Sequence, residues 1–555
     1  MRLSTIVFPT LTALATGLAA CPEDKADRPA FVDVSFPESF RFGTAVAQWQ
    51  VEGDLGDDGR VYDSNWKRWM DMGKSKGAQQ NVDGNGFRRQ FVDDIARARD
   101  LGLDTFRLGL DWSRVEPEPG VFDDAELDHF IVVLDAIRAA GMNPVVTLWH
   151  WTVPVWVQQP DPAAEGGAVD RIATTNAAVV DDFERFVRHV VPRIKDRVDT
   201  YTVLNEPFSM ITLGYIDGRF PPGRTLDVDR ATAFGVNLLF MHGAAYAAIK
   251  ELDDVDADAD GAASFVGLTM TANEFTPELV GDPEQERSAA SINYAFNDWV
   301  MIALTSGDLD VNLDGDITDT DTVPPEGRYL ELASTLDFVG IQYYGPGRIT
   351  DEGLLGQLLA DVAPLYGAPL LDVAGYSVGD GALLPSNGMG REISAAGLRD
   401  TLDRYAQWGV PMIITENGTT TNGRVPELPE DFEPGDPLPR GDPQEAQAAM
   451  YLVEHLWELG RAIADGLDVR AYYHWTLADN YEWVDGRTQR FGAYAVDFDD
   501  PTYPRRLTRM GEALRDIVDA RAIDQDLWAR WTLAAYPTDR RATPRGTTSI
   551  DPKNP

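Results

Sequence analysis

Two glutamates stand at the ends of apolar, strand-like runs, and they are the first candidates for chemistry in this chain. Glu206 ends the run TYTVLNE and precedes Pro207, a residue that stops a strand. Glu416 stands near the end of the run PMIITENG. A glutamate at the end of a strand is usually solvated surface, so neither position alone indicates function. A pair that faces one cavity, however, can supply a proton donor and a base or nucleophile.

The two glutamates belong to a series of eight strand-like segments. The segments are residues 40–47, 104–112, 143–151, 200–206, 264–273, 337–344, 411–418 and 469–477. Helical patterns separate them, with apolar residues three and four positions apart, as in ELDHFIVVLDAIRAAG. Alternating strands and helices predict parallel pairing, and eight repeats predict closure of the sheet. The predicted fold is therefore α/β, a single (β/α)8 TIM barrel.

Long loops account for the length of the chain, which at 555 residues is about twice the ~250 typical of this fold. Candidate insertions, rich in Gly, Pro or Asp, are residues 152–180, 215–230, 306–333, 346–395 and 419–445. Most of them follow strands, which places long loops at the C-terminal face of the barrel, where substrates bind. Side chains at the C-terminal ends of the strands point into that site, so Glu206 and Glu416 are predicted to share one cavity.

The charge of the chain excludes one class of partner. Asp and Glu number 90 against 48 Lys and Arg, which gives a formal net charge of -42. Nucleic acid binding needs clustered Lys and Arg, so we expect no nucleic acid partner. The 44% hydrophobic and 10% aromatic content is that of an ordinary globular core.

The residues around the two glutamates favour a sugar over a metal. Metal sites with paired carboxylates usually recruit His or further acids at neighbouring strand ends. Here the neighbouring residues are mostly aromatic or amide-bearing: Gln50, His150, Trp151, Tyr344, Trp475, Glu482 and Trp483. Aromatic faces with hydrogen-bonding groups beside them suit a sugar ring, whose CH faces are apolar and whose hydroxyls need specific partners.

Seven motifs in chain order carry a resemblance to a known family. They are FRFGTAVAQWQVEG, FRLGLDWSRVEPEPG, TLWHWTVPVW, VLNEPF, GIQYY, ITENG and HWTLADNYEWVDGRTQRFGAYAVDF. From about residue 36 to about residue 518, the chain resembles the family 1 glycoside hydrolases, the β-glucosidases and broader β-glycosidases. The resemblance implies a retaining, exo-acting enzyme that hydrolyses terminal non-reducing β-D-glycosyl residues by double displacement. It implies a β-glycoside or oligosaccharide as substrate and no cofactor for catalysis.

The resemblance assigns roles around the scissile bond. It makes Glu206 the general acid and base and Glu416 the nucleophile. A retaining hydrolase needs these carboxyl groups only ~5 to 5.5 Å apart, one neutral and one ionised. Arg107 and Tyr344 match positions that contact the nucleophile, where a guanidinium and a phenol favour the ionised form. Asn205 is implied to hydrogen-bond the 2-hydroxyl of the sugar.

The other sugar contacts follow from the same match. The implied ligands of the remaining hydroxyls are Gln50, His150, Glu482 and Trp483, with Trp151 beside them and Trp475 as the platform beneath the ring. A carboxylate at Glu482 repels phosphate, so phospho-sugars are not expected as substrates. The chain departs from the family at Gln342, where Asn is usual. We expect its longer side chain to push on Tyr344 or to take a different route.

Two other interpretations of the same residues stay open at this stage. An endo-acting glucanase or mannanase of a related barrel family also places glutamates after the fourth and seventh strands. A non-catalytic, surface sugar-binding lipoprotein is possible in principle, although retention of both Glu206 and Glu416 argues against it. The sequence leaves the sugar, the aglycone and the oligomeric state open.

The N-terminus predicts export and a lipid anchor. Residues 1–20 have one early basic residue, then an apolar stretch too short to span a bilayer comfortably. The following Cys21 completes a segment, LAAC, that resembles the lipobox of bacterial lipoproteins, and it is the only cysteine. We expect lipidation of Cys21 and anchoring to a membrane of the bacterial cell envelope. The alternative is a conventional signal peptide and a secreted protein.

The signal sequence is followed by three predicted segments. Residues 21–35 are predicted to form a polar tether, residues 36–535 the catalytic barrel, and residues 536–555 a disordered tail.

One loop has the spacing of a calcium site. In DVNLDGDITDTD, residues 310–321, the candidate ligands at positions 1, 3, 5, 7 and 12 of an EF-hand-like loop are Asp310, Asn312, Asp314, Asp316 and Asp321. The alternative is an acidic, solvated loop. A second acidic run, DDVDADADG at residues 253–261, lacks a carboxylate at the twelfth position and is interpreted as solvated only.

Overall fold

Eight parallel strands close into a barrel in the computed structural model, which describes residues 31–163, 168–349, 393–421 and 443–532. The strands are Arg41–Val46 (β1), Thr105–Gly109 (β2), Asn143–Trp149 (β3), Thr200–Asn205 (β4), Phe265–Thr271 (β5), Phe338–Tyr343 (β6), Met412–Asn417 (β7) and Val469–Trp475 (β8). Each pairs with the next in chain order, and β8 pairs with β1. Every strand lies within a predicted segment, so the predicted fold is confirmed.

Helices follow the strands and cover the outside of the barrel. The longer ones are Phe87–Asp100, Asp124–Ala139, Ala178–Ile194, Val228–Leu252, Pro283–Asn293, Trp299–Ser306, Ala395–Ala406, Pro443–Ala464, Arg509–Ala520 and Gln525–Trp531. Ala178–Ile194 shows why they pack in this way. Its buried residues include Val179, Phe183, Phe186 and Val190, which recur three and four positions apart and form one apolar face.

Short helices lie close to the C-terminal ends of four strands. They are Gln48–Glu52 after β1, Trp112–Val115 after β2, Pro207–Ile211 after β4, and the 3-10 helix Trp483–Thr488 after β8. Further short elements are the helix Asn65–Asp71, the 3-10 helix Lys76–Ala78 and the π-helical turns Thr212–Ile216 and Tyr294–Asp298. These segments carry several of the predicted site residues.

The long loops are divided between the two ends of the barrel. Residues 152–180 and 215–230 follow β3 and β4, so they lie at the C-terminal face as predicted. Residues 306–333 connect a helix to β6 and therefore lie at the opposite, N-terminal end. The predicted insertions at 346–395 and 419–445 lie largely outside the described residues. The predicted signal sequence, Cys21 and the predicted tail at 536–555 lie outside them entirely.

Among the described residues, one helix is long and apolar enough to cross a membrane. This helix is Val228–Leu252, and 72% of its most apolar stretch is buried inside the fold. It connects β4 to β5 and packs against the helix Ala178–Ile194. Its apolar character is therefore that of a core helix of the barrel.

The end of the predicted tether (residues 21–35) belongs to the folded domain, which corrects that boundary. Val34–Ser35 forms a short antiparallel ladder with a two-residue strand near the C-terminus. The ring of Phe31 lies 5.9 Å from that of Trp457 and 5.1 Å from that of Trp528, measured between centroids. The physical reason is that these apolar side chains bury area against the barrel helices, which a polar tether would not do.

We predict that Phe31→Ala lowers the free energy of unfolding by about 1 to 2 kcal/mol, because a partly buried aromatic ring loses its contacts. Urea denaturation of the two proteins measures the difference. Val32→Ala is the matched control, since the Val32 side chain is 50% exposed and should change little. Equal stability of Phe31→Ala and the unmutated protein would show that the segment does not contribute to the fold.

Candidate active site

Glu206 lies at the junction between β4 and the helix Pro207–Ile211. Its φ of 44° places it in the left-handed region, and its N–H donates to the backbone oxygen of Thr269 on β5 over 2.9 Å. A non-glycine residue in this region costs roughly 1 kcal/mol or more. Pro207 occupies the first turn of the helix, where its missing N–H has no intrahelical partner to lose. The chain therefore turns sharply at this carboxylate, which is itself buried.

Glu416 is buried near the end of β7 and accepts three hydrogen bonds. Arg107 Nη1 donates to its Oε1 over 2.6 Å, and Gln342 Nε2 donates to the same oxygen over 2.8 Å. Tyr344 OH donates to Oε2 over 2.7 Å. The contacts predicted for Arg107 and Tyr344 are therefore present.

Asn205 is held by three donors that all reach its side-chain oxygen. Arg107 Nη2 and Gln342 Nε2 each donate to Oδ1 over 2.7 Å, and Thr269 Oγ1 donates over 2.9 Å. Because these three bonds use Oδ1 as the acceptor, they fix the orientation of the amide group. Its NH2 is the group that is left to bond to a ligand. Asn205 can thus act as a donor to a ligand, as a contact with a sugar hydroxyl requires.

The longer side chain of Gln342 does not displace Tyr344. Its Nε2 bridges Asn205 and Glu416, while Tyr344 keeps its hydrogen bond to Glu416. The pairing of β6 with β7 shifts register between Ile341 and Gln342, where the strand is irregular. The extra methylene of Gln342 therefore lets one amide group contact both Asn205 at the end of β4 and Glu416 near the end of β7.

The pKa of Glu416 is not held low, contrary to the expectation from its donors. Burial raises its pKa to about 7, and the negative charge of Glu206 also raises it, whereas Arg107 and Tyr344 lower it. The negative charge of Glu206 therefore disfavours the ionised form of Glu416. The three donors on Glu416 favour that ionised form and oppose the effect of burial.

Glu482 and Gln50 meet at the C-terminal face of the barrel. Gln50 Nε2 donates to Glu482 Oε2 over 3.2 Å and to the backbone oxygen of Tyr481 over 2.9 Å. Burial raises the pKa of Glu482 to about 8, with the charges of Asp485 and Glu416 adding to the effect. At neutral pH without a ligand, Glu482 is therefore largely a neutral acid rather than the carboxylate that the sequence suggests.

An aromatic wall joins the remaining predicted contacts. The ring of His150 stacks near Trp475 and Trp483, with centroids 6.2 and 5.8 Å apart. Trp151 lies 4.7 Å from Trp483, and its Nε1 donates to the backbone oxygen of Asn205 over 2.9 Å. Burial and the charge of Arg107 lower the pKa of His150 well below its usual range, so this ring is neutral.

Several buried polar atoms in and beside the predicted sugar contacts have no hydrogen-bond partner among the described residues. They are Gln50 Oε1, His150 Nδ1 and Gln342 Oε1, together with Nδ2 of the neighbouring Asn480. Buried polar atoms in proteins are nearly always paired, so a group of unpaired ones needs an explanation. A ligand with several hydroxyl groups provides such partners.

Two threonines of the network were not identified from the sequence. Thr147 on β3 accepts a hydrogen bond from Arg107 Nε over 3.0 Å, and Thr269 on β5 bonds to Asn205. Both stand inside otherwise apolar strand runs, VVTLW and GLTMT. A polar residue at an inward position of an apolar strand is the signal that could have identified them.

The predicted calcium loop at 310–321 forms the expected turn but does not gather its ligands. Gly315 N–H donates to Asp310 Oδ2 over 2.7 Å. Asn312, Asp314 and Asp316 each accept a backbone N–H two residues further along. Asp321 is exposed, and the carboxylate that folds back on the loop is Glu326. Within the described part of the chain, no three carboxylates of this loop lie within 4.8 Å of one another.

Comparison with known proteins establishes the family to which this site belongs. The family model described as Glycosyl hydrolase family 1 matches residues 32–522. The chain belongs to this family. The beta-galactosidase of Pyrococcus woesei is 26% identical, covering 83% of this chain and 93% of its own length. The bifunctional beta-D-glucosidase/beta-D-fucosidase of Bifidobacterium breve is 29% identical, covering 84% of this chain and 94% of its own.

A solved structure supports the fold of this family 1 glycosidase. The family 1 β-glucosidase from Thermotoga maritima matches it with a TM-score of 0.71 at 24% identity, over 89% of this chain and 100% of that chain. The protein is a retaining, exo-acting β-glycosidase that hydrolyses O-glycosyl bonds. Neither the family nor these relatives favour an endo-acting glucanase or a non-catalytic sugar-binding protein.

We predict that Gln342→Met moves the acid limb of the kcat/KM profile to higher pH by roughly half to one unit. The bond from Gln342 favours ionised Glu416, so its loss raises the pKa of Glu416. Activity that needs the ionised form then disappears at a higher pH as the solution is acidified. Gln407→Met, at an exposed helix end, is the matched control. An acid limb at the same pH in both variants and the unmutated protein would contradict the bridging role of Gln342.

Proposed function

We propose that Glu416 is the nucleophile and Glu206 the general acid and base of this β-glycosidase. The observation that carries the proposal is the environment of Glu416: three donors reach its carboxylate, and the charge of Glu206 acts on its pKa. A retaining hydrolase needs one carboxyl group ionised and the other protonated at the start of the reaction. The donors favour this distribution, because a carboxylate accepts three hydrogen bonds more readily than a carboxylic acid.

The reaction then proceeds in two balanced steps. In the first, Glu416 bonds to the anomeric carbon while the glycosidic oxygen leaves with the proton of Glu206, so the aglycone departs as a neutral alcohol. In the second, Glu206 takes a proton from water, and the water oxygen bonds to the anomeric carbon as the bond to Glu416 breaks. The sugar leaves with its β configuration retained.

The neighbouring residues have separate tasks in this proposal. Arg107 and Tyr344 fix the orientation of Glu416 through hydrogen bonds to its two oxygens. Asn205 donates to the 2-hydroxyl, a bond that strengthens in the oxocarbenium-like transition state. The contacts for the other hydroxyls and the ring face are Gln50, His150, Trp151, Trp475, Glu482 and Trp483.

We propose terminal β-D-glucosyl residues of short oligosaccharides or aryl and alkyl glycosides as the substrates. The names of the relatives, a beta-galactosidase and a beta-D-glucosidase/beta-D-fucosidase, support closely related sugars as well. Glu206 and Glu416 make the site unfavourable for a phosphate dianion, and the largely protonated Glu482 offers it no counter-charge, which supports neutral sugars over phospho-sugars.

The products formed in the presence of azide distinguish the roles of the two glutamates. On a panel of nitrophenyl β-glycosides, we expect Glu416→Ala to lower hydrolysis by roughly 10⁴-fold or more. Azide then attacks the sugar from the face that Glu416 occupied, and the product is the α-glycosyl azide. In Glu206→Ala the glycosyl-enzyme still forms from a substrate with a good leaving group. Azide attacks it from the opposite face and gives the β-glycosyl azide, which NMR distinguishes.

A surface glutamate provides the control for this experiment. Glu251→Ala removes an exposed carboxylate and should hydrolyse the panel at the unmutated rate. Unmutated rates in Glu416→Ala, or the same azide anomer from both catalytic variants, would disprove the assignment of roles. Failure of the unmutated protein to hydrolyse any nitrophenyl β-glycoside would contradict the proposed substrate class.

We propose that the enzyme works at the bacterial cell envelope, anchored through lipidated Cys21. The support is the LAAC segment after a short apolar stretch and the absence of any other cysteine in the sequence. When the full chain is expressed in a bacterium, we expect it to sediment with the membranes, whereas Cys21→Ser should stay in the soluble fraction. Equal partitioning of the two proteins would contradict lipidation at this residue.

We propose a structural calcium ion in the loop 310–321, with no part in catalysis. The support is the spacing of its acidic residues and the hydrogen bond from Gly315 to Asp310 that shapes the turn. We expect Asp310→Asn to reduce the rise in melting temperature that calcium produces relative to a chelator. An identical rise in Asp310→Asn and the unmutated protein would count against this site.

A further inference from the structure

A carboxylate oxygen at the N-terminal end of β4 is buried without a partner. Asp199 immediately precedes this strand and is only 6% exposed. Its Oδ1 accepts the N–H of Ala257 over 2.8 Å, whereas its Oδ2 has no hydrogen-bond partner among the described residues. A buried carboxylate oxygen in this state needs a positively charged or hydrogen-donating group that the described part of the chain does not supply.

Two further carboxylates converge on this residue. One oxygen from each of Asp199, Asp256 and Asp258 lies within 4.8 Å of the other two, and in the described part of the chain no other group of three acidic, His or Cys side chains does so. None of the three forms an ion pair with Arg, Lys or His among the residues that the structure describes. Arg138 lies nearby and donates to the backbone oxygen of Ala257, but it forms no ion pair with any of the three carboxylates.

The segment that carries two of these acids has the spacing of the first half of a calcium loop. In DADADG, Asp256, Asp258 and Asp260 stand at positions 1, 3 and 5, and Gly261 stands at position 6 with φ 98°. Gly261 N–H donates to Asp256 Oδ2 over 3.0 Å. The sequence offers no carboxylate at the twelfth position of this run. Asp199, from a distant part of the chain, supplies a further carboxylate instead.

We propose that Asp199, Asp256 and Asp258 bind a calcium ion, with Asp260 as a further ligand. Calcium is a hard cation that takes six to eight oxygen ligands in flexible geometry, which suits several carboxylates on a loop. The group contains no His or Cys, so zinc and other softer metals are poor candidates. This site is separate from the loop 310–321 and shares no residue with it.

The position of the site assigns the ion a structural task. Asp199 leads into β4, and its backbone oxygen accepts the N–H of Phe265, the first residue of β5, over 2.6 Å. The loop of Asp256 and Asp258 precedes β5, so the ion links the starts of two adjacent barrel strands. Glu206 lies at the opposite end of β4. Calcium here stabilises the barrel and leaves the catalytic groups untouched.

The test counts calcium ions bound by the full chain. After metal is removed with a chelator, isothermal titration with calcium chloride is performed in about 0.15 M KCl, which screens weak binding to the acidic surface. The variants are Asp256→Asn and Asp258→Asn, with Asp310→Asn to report on the separate loop. Asp93→Asn, at an exposed position of the helix Phe87–Asp100, is the matched control. We expect Asp256→Asn and Asp258→Asn each to bind one calcium fewer than the unmutated protein and Asp93→Asn.

A second readout separates this structural role from catalysis. Calcium should raise the melting temperature of the unmutated protein more than that of Asp256→Asn, while kcat/KM below the melting range stays the same in both. Equal calcium stoichiometry and affinity in Asp256→Asn and the unmutated protein would overturn the proposal. Binding of magnesium as tight as that of calcium would overturn the assignment of the metal. Neither result bears on the glycosidase assignment, because the site shares no residue with it.

Discussion

The guanidinium of Arg107 is the interaction on which the site depends. It is 1% exposed and donates to Glu416, Asn205, Thr147 and the backbone oxygen of Thr415. These partners lie on three different strands, so the cation is fully paired only when the barrel is closed in one register. An unpaired buried charge costs several kcal/mol, and the catalytic geometry and the fold therefore stabilise each other.

The cost of this arrangement is a concentration of negative charge. Burial and the charges of neighbouring carboxylates raise the pKa of Glu416 to about 7 and that of Glu482 to about 8. Their folded-state pKa values lie above the ordinary value of 4.5, so these groups lower the stability of the fold as the pH rises from about 4.5 to about 7 and 8, and the loss is complete above those values. A neutral sugar whose hydroxyls donate to these oxygens relieves the repulsion.

Most of the barrel and the position of the proposed catalytic pair could be predicted from the sequence because each strand carries its own apolar run. Parallel strand ends meet on one face, so Glu206 and Glu416 follow once the strands are known. Contacts between distant segments could not be predicted in this way. The contacts of Gln342 depend on a local register shift in β6. The proximity of Asp199 to the loop of Asp256 depends on how distant segments of the chain pack together. The spacing of residues along the sequence reveals neither of these contacts.

In the proposed reaction, the carboxylate held by Arg107, Gln342 and Tyr344 forms the covalent intermediate. Incubation with a 2-deoxy-2-fluoro β-glucoside carrying a good leaving group tests it directly. The fluorine slows both steps, because it destabilises the oxocarbenium-like transition state and removes the 2-hydroxyl that Asn205 contacts. Mass spectrometry of the digested protein then locates the trapped sugar. The account predicts one sugar per chain, on Glu416. A sugar on any other residue, or steady turnover through an inverted product with no adduct, would contradict it.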